Sequence, residues 1–220
     1  MVTPLKVSPL VPPKAPNLQV APTAYAALYQ DQFNNALRIY FNQLDNMLSN
    51  VLSSTDGGKY IRFPYGAFSS YADQTTTANT ATLMTLDTTD FSNGVSISSS
   101  KITVANPGIY NLQFSAQLQN TDNQIQDISI WLRQNGTDIP GSTGLVSIPA
   151  RKSASAGEEA HEIIGWNYYV SMKAEEYIQI YWSTTLASVT IQTYPAATGP
   201  VRPSTASVVA TMSFVSALVT

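Results

Sequence analysis

Few residues of this chain are suited to catalysis. The chain has one histidine, His161, and no cysteine. A Ser-His-Asp triad or a zinc site with several histidines would therefore have only His161 to use. Disulfides, thiolate metal sites and thiol chemistry are excluded as well. We interpret His161 as a strand-edge residue whose role does not go beyond packing.

Five glutamates are the carboxylates best suited to glycoside hydrolysis, in which two carboxylates flank the scissile bond. They are Glu158, Glu159, Glu162, Glu175 and Glu176. Adjacent residues of a strand point to opposite faces, and the segment 153–157 has the composition of a solvated loop. We therefore predict that the chain is not an enzyme. A polysaccharide depolymerase that uses Glu158, Glu159 or Glu162 is the alternative.

Oxygen-rich segments offer a second chemistry, since Ca²⁺ is bound by several oxygen ligands. The candidate ligands are Asp122, Asn123 and Asp127, or Asp87 and Asp90. Neither set has the compact spacing of a dedicated calcium loop. We expect no cofactor, with Ca²⁺ as the alternative.

The charges exclude two kinds of partner. The formal net charge is −3, and Arg151-Lys152 is the only adjacent basic pair. Nucleic acid is therefore not an expected partner, since a phosphate-binding surface needs clustered cations. No apolar run is long enough to cross a membrane, and residues 1–6 lack the apolar core of a signal peptide. We expect no membrane insertion and no secretion signal.

Residues 1–22 are predicted to form an extended arm. Prolines at 4, 9, 12, 13, 16 and 22 oppose both helix and central strand. Apolar side chains recur between them, as in a peptide that binds a partner's groove or sheet edge. The predicted anchoring residues are Leu5, Leu10, Val11 and Leu18. A disordered tail is the alternative.

Residues 23–53 are predicted to form one amphipathic helix that self-associates. It starts after Pro22 and is stopped by Asp56-Gly57-Gly58 within the linker 54–65. Apolar residues recur at alternating spacings of four and three, which is a heptad pattern. The predicted oligomerisation residues are Phe33, Leu37, Tyr40, Leu44, Met47 and Val51. Phe41, Leu48 and Leu52 widen the apolar stripe, as expected where more than two helices meet. A helix packed on its own β domain is the alternative.

Residues 66–220 alternate with period two and predict an all-β domain of about ten strands, a sandwich or jelly roll. In Ile109–Leu118, alternation places Ile109, Leu112, Phe114, Ala116 and Leu118 inward. The turn signals are Asn106-Pro107-Gly108 and Asn135-Gly136, since Asn and Gly tolerate positive φ. The strands we can place are 82–86, 95–97, 101–104, 109–118, 128–133, 162–170, 177–182, 188–193 and 207–215.

Aromatic side chains in these strands either pack or stack on sugars. They are Trp131, Trp166, Tyr168, Tyr169, Tyr181, Trp182 and Tyr194. We expect most of them to pack. Alternation puts Trp131 on the face opposite Ile130 and Leu132, where it is exposed or contacts another subunit.

Several of these segments resemble the C1q/TNF-like jelly-roll family. The resemblance covers roughly residues 66–216 and is most specific in Lys101–Leu118, where a strand ends at Asn106-Pro107 and restarts with Gly108-Ile109-Tyr110. The run from Ile128 to Gly136 resembles the family's next strand and its Asn-Gly turn. Members often have a Gly-Asp before the penultimate central strand, whereas this chain has Ala174-Glu175-Glu176 at that position. The resemblance implies a homotrimer whose threefold axis is lined by aromatic and apolar side chains.

The collagen stalk of the animal proteins is replaced here by a heptad helix, which resembles phage and other viral fibre or knob proteins. Residues 12–18 and 37–45 are similar to N-termini of structural proteins in marine tailed phages. The chain is thus expected to be a ten-stranded C1q/TNF-like jelly-roll sandwich (66–220) preceded by a Pro-rich arm and one coiled-coil helix.

The function expected from this organisation is that of a homotrimeric virion structural protein, a phage fibre, knob or decoration assembled in the host cytoplasm. Residues 1–22 would dock to a portal, tail or capsid protein, and the head would bind a host surface glycan or protein. The segments 121–126, 141–157 and 194–203 are candidate contact loops. The alternative is a cellular or secreted C1q-like ligand-binding module.

Overall fold

The computed structural model describes residues 14–18, 20, 22–52, 63–153 and 158–218. The chain divides into two compact units, Met1–Phe63 and Pro64–Thr220, which we call the helical unit and the β unit. The described structure is mainly β, with 49% of residues in strands, antiparallel sheets and one helix.

Helix α1 spans Ala27–Leu52, 26 residues or about 39 Å. It begins four residues after the predicted start at Thr23. Its first turn is closed by the Gln30 N–H, which donates to the Ala26 carbonyl at 3.1 Å, so Thr23 lies outside it. The predicted stop signal at 56–58 lies outside the described residues. The heptad pattern therefore falls on one uninterrupted helix.

Fifteen strands lie within the described part of the β unit, instead of about ten. They are β1 Tyr65–Ser70, β2 Thr82–Leu83, β3 Thr88–Asn93, β4 Val95–Ser98, β5 Lys101–Val104, β6 Gly108–Asn120, β7 Gln126–Gln134, β8 Thr137–Asp138, β9 Gly144–Ile148, β10 Ala160–Met172, β11 Tyr177–Thr184, β12 Val189–Ile191, β13 Ala197–Thr198, β14 Val201–Arg202 and β15 Val208–Ser216. All nine strands placed from the sequence are present, and the strand count was wrong because six more were not visible in the pattern. Three of those six, β8, β13 and β14, have only two residues each.

The strands form two large antiparallel sheets and one small hairpin. Sheet I has the order β10-β6-β15-β1-β3, with β12 also paired to β6. Sheet II has the order β4-β5-β11-β7-β8, with β2 paired to β11 and β9 to β7. Strands β13 and β14 pair only with each other. The longest ladder joins β6 to β10, from Gly108↔Met172 to Asn120↔Ala160.

Buried side chains of both sheets belong to one hydrophobic cluster. Leu112 and Ala116 come from sheet I, whereas Ile130, Leu132 and Trp182 come from sheet II. Complete burial of one large aliphatic side chain contributes about 1.5–3 kcal/mol, so this shared cluster accounts for the stability of the β unit. The two sheets therefore stabilise each other.

Within β6 the alternation is confirmed except at its start. Tyr110 is fully buried, whereas Ile109 is half-buried on the opposite face. The prediction placed Ile109 with the core residues although it is out of phase with Leu112. The Tyr110 hydroxyl donates to the Asn106 carbonyl at 2.7 Å, which pairs the polar end of this buried ring.

Glycine is needed in the two predicted turns for different physical reasons. Asn135 and Gly136 have φ of 50° and 83°, as a two-residue hairpin turn of type I′ requires. Gly108 does not have positive φ, so that part of the prediction was wrong. A Cβ at Gly108 would lie 2.4 Å from the Phe214 ring and 2.9 Å from the Ser216 carbonyl oxygen. Glycine is required there because another strand approaches closely.

Candidate functional site

The six predicted oligomerisation residues lie on α1, and all of them are half-buried. They are Phe33, Leu37, Tyr40, Leu44, Met47 and Val51. Beside them, Phe41 is 57% exposed and Leu52 is 66% exposed. A wide apolar stripe on α1 therefore remains accessible, and its role in oligomerisation stays a prediction.

One of the four predicted anchoring residues lies within the described structure. Leu5, Leu10 and Val11 lie outside the described residues. Leu18 is 40% exposed and lines a cleft of about 250 Å³ together with Asn17, Tyr29, Gln32, Phe33 and Ala36. The arm residue Leu18 and the helix residue Phe33 therefore share one cleft of the helical unit.

His161 lies on β10, the strand at the edge of sheet I, as predicted. Its Nδ1 is 3.0 Å from the Tyr194 hydroxyl, and the two rings meet edge to face. Burial raises the pKa of Tyr194, Glu159 and Asp73 raise it further, and Arg202 opposes the shift. His161 is exposed, so its contact is one polar pair at the surface and packing alone does not describe it.

Two of the five glutamates, Glu175 and Glu176, lie in the turn between β10 and β11. Glu176 caps a turn, because its Oε2 accepts from the Lys173 N–H at 2.8 Å and from the Gln134 Nε2 at 3.0 Å. Glu175 has φ of 65° in the same turn. Glu158 and Glu162 are exposed. The structure assigns Glu176 a structural role that the sequence did not reveal.

Four of the five candidate calcium ligands accept hydrogen bonds from other groups of the chain. Asp122 accepts from the Gln124 N–H and the Gln126 Nε2, and Asp127 accepts from the Ser147 hydroxyl. In the other set, Asp87 accepts from the Thr88 hydroxyl and Asp90 from the Ser69 hydroxyl. No group of three or more His, Asp or Glu side chains with metal-binding geometry occurs in the part of the chain that the structure describes.

The three candidate contact loops contain regular structure. Gln126 at the end of the first belongs to β7, and the second contains β9. The third contains the hairpin β13–β14, beside which the Arg202 Nη1 donates to the Pro195 carbonyl at 3.1 Å. Residues 154–157 of the second loop lie outside the described residues.

The aromatic side chains divide between packing and exposure, mostly as predicted. Trp182 is fully buried, and Trp166 and Tyr168 pack against the core. Tyr169 is 59% exposed, and Trp131 is half-buried on the face of β7 opposite Ile130. The predicted orientation of Trp131 is confirmed.

Four side chains form a connected cluster on the outer face of sheet II. The Trp131 Nε1 donates to the Asp138 Oδ1 at 2.7 Å, and the Arg133 Nε donates to the same oxygen at 2.8 Å. The Arg133 guanidinium lies 3.9 Å from the centre of the Tyr181 ring. The rings of Trp131 and Tyr181 are 6.1 Å apart and inclined by 31°. We call these four residues the Trp131 cluster.

Strand register brings the Trp131 cluster together. Trp131 is directly opposite Tyr181 on β11, and Arg133 is opposite Asp138 across the hairpin that Asn135-Gly136 closes. The hydrogen bond from Arg133 lowers the pKa of Asp138, and the bond from Trp131 lowers it further. Asp138 raises the pKa of Arg133 in turn. The cluster is thus an ordered aromatic and charged surface with an ionised carboxylate.

The outer face of sheet I has a different composition. Ile163 and Tyr169 on β10 and Val209 on β15 are 64%, 59% and 38% exposed. Their cross-strand neighbours on β6 are Gln117, Asn111 and Ser115. These six positions carry no charged side chain, so this part of the face, on β6, β10 and β15, is apolar and neutral-polar.

Comparison with known proteins adds no relationship. No protein-family model matches the chain, and no curated protein matches it. Among the described residues, no helix is both long enough and apolar enough to cross a membrane.

Proposed function

We propose that the chain is a homotrimeric structural protein of a virion, a phage fibre, knob or decoration protein without enzymatic activity. In this proposal the arm 1–22 docks to the particle, α1 trimerises, and the β unit projects for surface or receptor binding.

One observation carries the proposal: no described residue of the helical unit is buried. Helix α1 nevertheless presents a heptad stripe, and the residues that widen it, Phe41, Leu48 and Leu52, are 57%, 43% and 66% exposed. Isolated helices gain most of their stability from packing an apolar face. A second and third copy of the helix would cover this stripe, as in a trimeric coiled coil.

The outer face of sheet I supports the same oligomeric state. Ile163, Tyr169 and Val209 are exposed, and their cross-strand neighbours Gln117, Asn111 and Ser115 carry no charge. The core of an interface between copies is typically depleted in charge and enriched in aromatic residues. This face would line the threefold axis that the resemblance implies.

Strand connectivity supports the jelly-roll assignment. From β5 onward the chain passes from sheet II to sheet I at β6 and back to sheet II at β7. The same crossing recurs at β10 and β11, the chain returns to sheet I at β12, and the last strand, β15, also lies in sheet I. Repeated crossing between two antiparallel sheets is typical of a jelly roll.

A trimeric head would bind by avidity. Three sites held on one stem act at high effective concentration, so weak individual contacts give firm attachment to a surface. This arrangement suits a protein that must attach and needs no catalytic residue.

The test is the solution mass of the full chain by light scattering. We expect about three times the protomer mass of 23.8 kDa. A fragment that starts at residue 60 then shows whether the β unit trimerises without α1. A monomeric full chain would refute the trimeric proposal and leave a single ligand-binding module. If the trimer forms, deletion of residues 1–22 should preserve it and abolish incorporation into the particle.

A further inference from the structure

The outer face of sheet II carries an exposed carboxylate, that of Asp138, only one oxygen of which accepts hydrogen bonds within the Trp131 cluster. Both hydrogen bonds within the Trp131 cluster end on the Asp138 Oδ1, and the Asp138 side chain is 56% exposed. The Oδ2 atom of Asp138 is therefore available to accept hydrogen bonds from a ligand. The acceptor lies beside the indole of Trp131, which is half-buried and fixed through its Nε1.

We propose that the Trp131 cluster binds a neutral pyranose unit of a surface glycan. The C–H face of the sugar would lie on the indole of Trp131, since polarised C–H groups are attracted to the negative face of an aromatic ring. A sugar hydroxyl would donate to the Asp138 Oδ2. This inference deepens the surface-binding part of the proposed function and rests on it.

The charge arrangement selects a neutral ligand. Arg133 shares the Asp138 Oδ1 with the indole N–H, but its Nε is bound to Asp138 and its guanidinium covers the Tyr181 ring. An anionic sugar or a phosphate would be repelled by the exposed carboxylate of Asp138, which already pairs with the charge of Arg133. A hydroxyl group needs an acceptor, and a carboxylate is a strong one. The surface therefore favours a polyol over an anion.

The cluster is ordered before any ligand arrives. Trp131 and Tyr181 are paired across two strands of a sheet, and the two-residue turn fixes Asp138 opposite Arg133. Residues that are already held in place lose little conformational entropy when they bind a ligand. Leu145, which is 77% exposed and lies opposite Ser129 on the adjacent strand, extends the surface with an apolar side chain.

The experiment titrates the full chain with a panel of neutral oligosaccharides that present glucose, galactose, mannose or N-acetylglucosamine. Calorimetry and tryptophan fluorescence follow binding, with sialylated oligosaccharides as the anionic comparison. Trp182 is fully buried and Trp166 packs against the core, so a fluorescence change reports chiefly on Trp131. We expect a neutral sugar to bind with a Kd in the millimolar range per site and to change the emission.

Two variants and one control locate the site. Trp131→Ala should weaken binding at least tenfold, and Asp138→Asn should weaken it by a smaller factor. Tyr71→Ala, at an aromatic residue that is 55% exposed elsewhere, should leave the affinity unchanged. Thermal unfolding of each variant checks the fold. Asp138 is exposed at 56%, so Asp138→Asn remains informative if Trp131→Ala does not fold.

Three results would overturn the proposal: no binding by any neutral sugar, binding that both substitutions leave unchanged, or a preference for sialylated sugars. Failure of the trimeric assembly is a separate result. A monomer that still binds sugar through Trp131 would refute the trimer and retain the site. A trimer that binds no sugar would refute the sugar site and retain the trimer.

Discussion

The two units of this chain treat their hydrophobic residues differently. In the β unit, side chains such as Ile130 and Trp182 meet in one core and are fully buried. In the helical unit, no described side chain is buried, although α1 has an equally regular apolar pattern. Since burial is the main source of folding free energy, the β unit has a core of its own, whereas our proposal is that the helix gains its stability from other copies of the chain.

The largest effect is expected in the core of the β unit. Trp182→Ala should lower the free energy of unfolding by about 3–5 kcal/mol, because a fully buried indole leaves a cavity. Urea denaturation measures the change. Tyr71→Ala, at an exposed ring, should change stability by no more than about 0.5 kcal/mol. Equal losses for the two variants would contradict the assignment of the core.

Substitutions in the heptad stripe of α1 should change the oligomeric state of the chain and leave the stability of the β unit unchanged. Leu37→Asp combined with Leu44→Asp places two carboxylates in the heptad stripe, which should convert the trimer to monomers in light scattering. Each covered leucine contributes about 1.5–3 kcal/mol, and a buried unpaired charge adds a further cost. The β unit should unfold at an unchanged urea concentration.

The matched control adds the same charge on the opposite side of the helix. Asn42→Asp with Ser49→Asp places two carboxylates at exposed positions on the face of α1 opposite the stripe. This variant should remain trimeric. If both variants dissociate, net charge rather than the stripe controls assembly. If neither dissociates, the β unit holds the trimer together and the comparison between the units fails.

A smaller effect is expected at the turn between β10 and β11. Glu175 has φ of 65°, a left-handed conformation that costs a side chain about 1 kcal/mol and glycine nearly nothing. Glu175→Gly should therefore stabilise the β unit by up to about 1 kcal/mol in urea denaturation. Glu176→Gly is the matched comparison. It should destabilise, because the Glu176 carboxylate accepts from Lys173 and Gln134.

The strands that could be predicted are those with a visible period. Strands such as β6 and β7 bury every second residue, so alternation placed them. Strand β1 is buried at Gly66–Ser70 without alternation, and β3 is a polar edge strand that is exposed along most of its length. Neither has a period of two, which explains why the sequence did not reveal them. The two-residue strands β8, β13 and β14 are too short to show any period.

The Trp131 cluster was predictable only in part. The Asn135-Gly136 turn fixes a two-residue hairpin, and that register alone places Arg133 opposite Asp138. Tyr181 lies fifty residues from Trp131, and the sequence contains no local signal that β11 pairs with β7. Long-range strand order comes from packing of the whole core. A prediction from turns and alternation therefore finds half of the cluster.

The smallest expected effect is on the stability of the β unit and comes from its surface side chains. The surfaces of the two units differ in their side-chain hydrogen bonds. The described side-chain bonds of α1 join neighbours on the same helix, Gln30 with Asn34 and Arg38 with Asn35. The β unit instead links Trp131, Arg133 and Asp138 across strands. An ordered network of this kind should give a measurable dependence of stability on pH, since Arg133 lowers the pKa of Asp138 below its ordinary value of 3.8.

The direction of that dependence follows from the lowered pKa. The ionised Asp138 contributes stability above about pH 4, and the contribution is lost as the pH falls through the lower pKa of the folded state. Asp138→Asn keeps an oxygen for the Trp131 bond but removes the charge that pairs with Arg133. Wild type should therefore be more stable than Asp138→Asn at pH 7, and the difference should narrow below about pH 4 in a series of urea denaturations. Half-molar salt should also narrow it, because exposed charges are screened. A difference that stays constant with pH and salt would mean that the four side chains are not held in this arrangement, and the surface of the β unit would then be no more ordered than that of the helix.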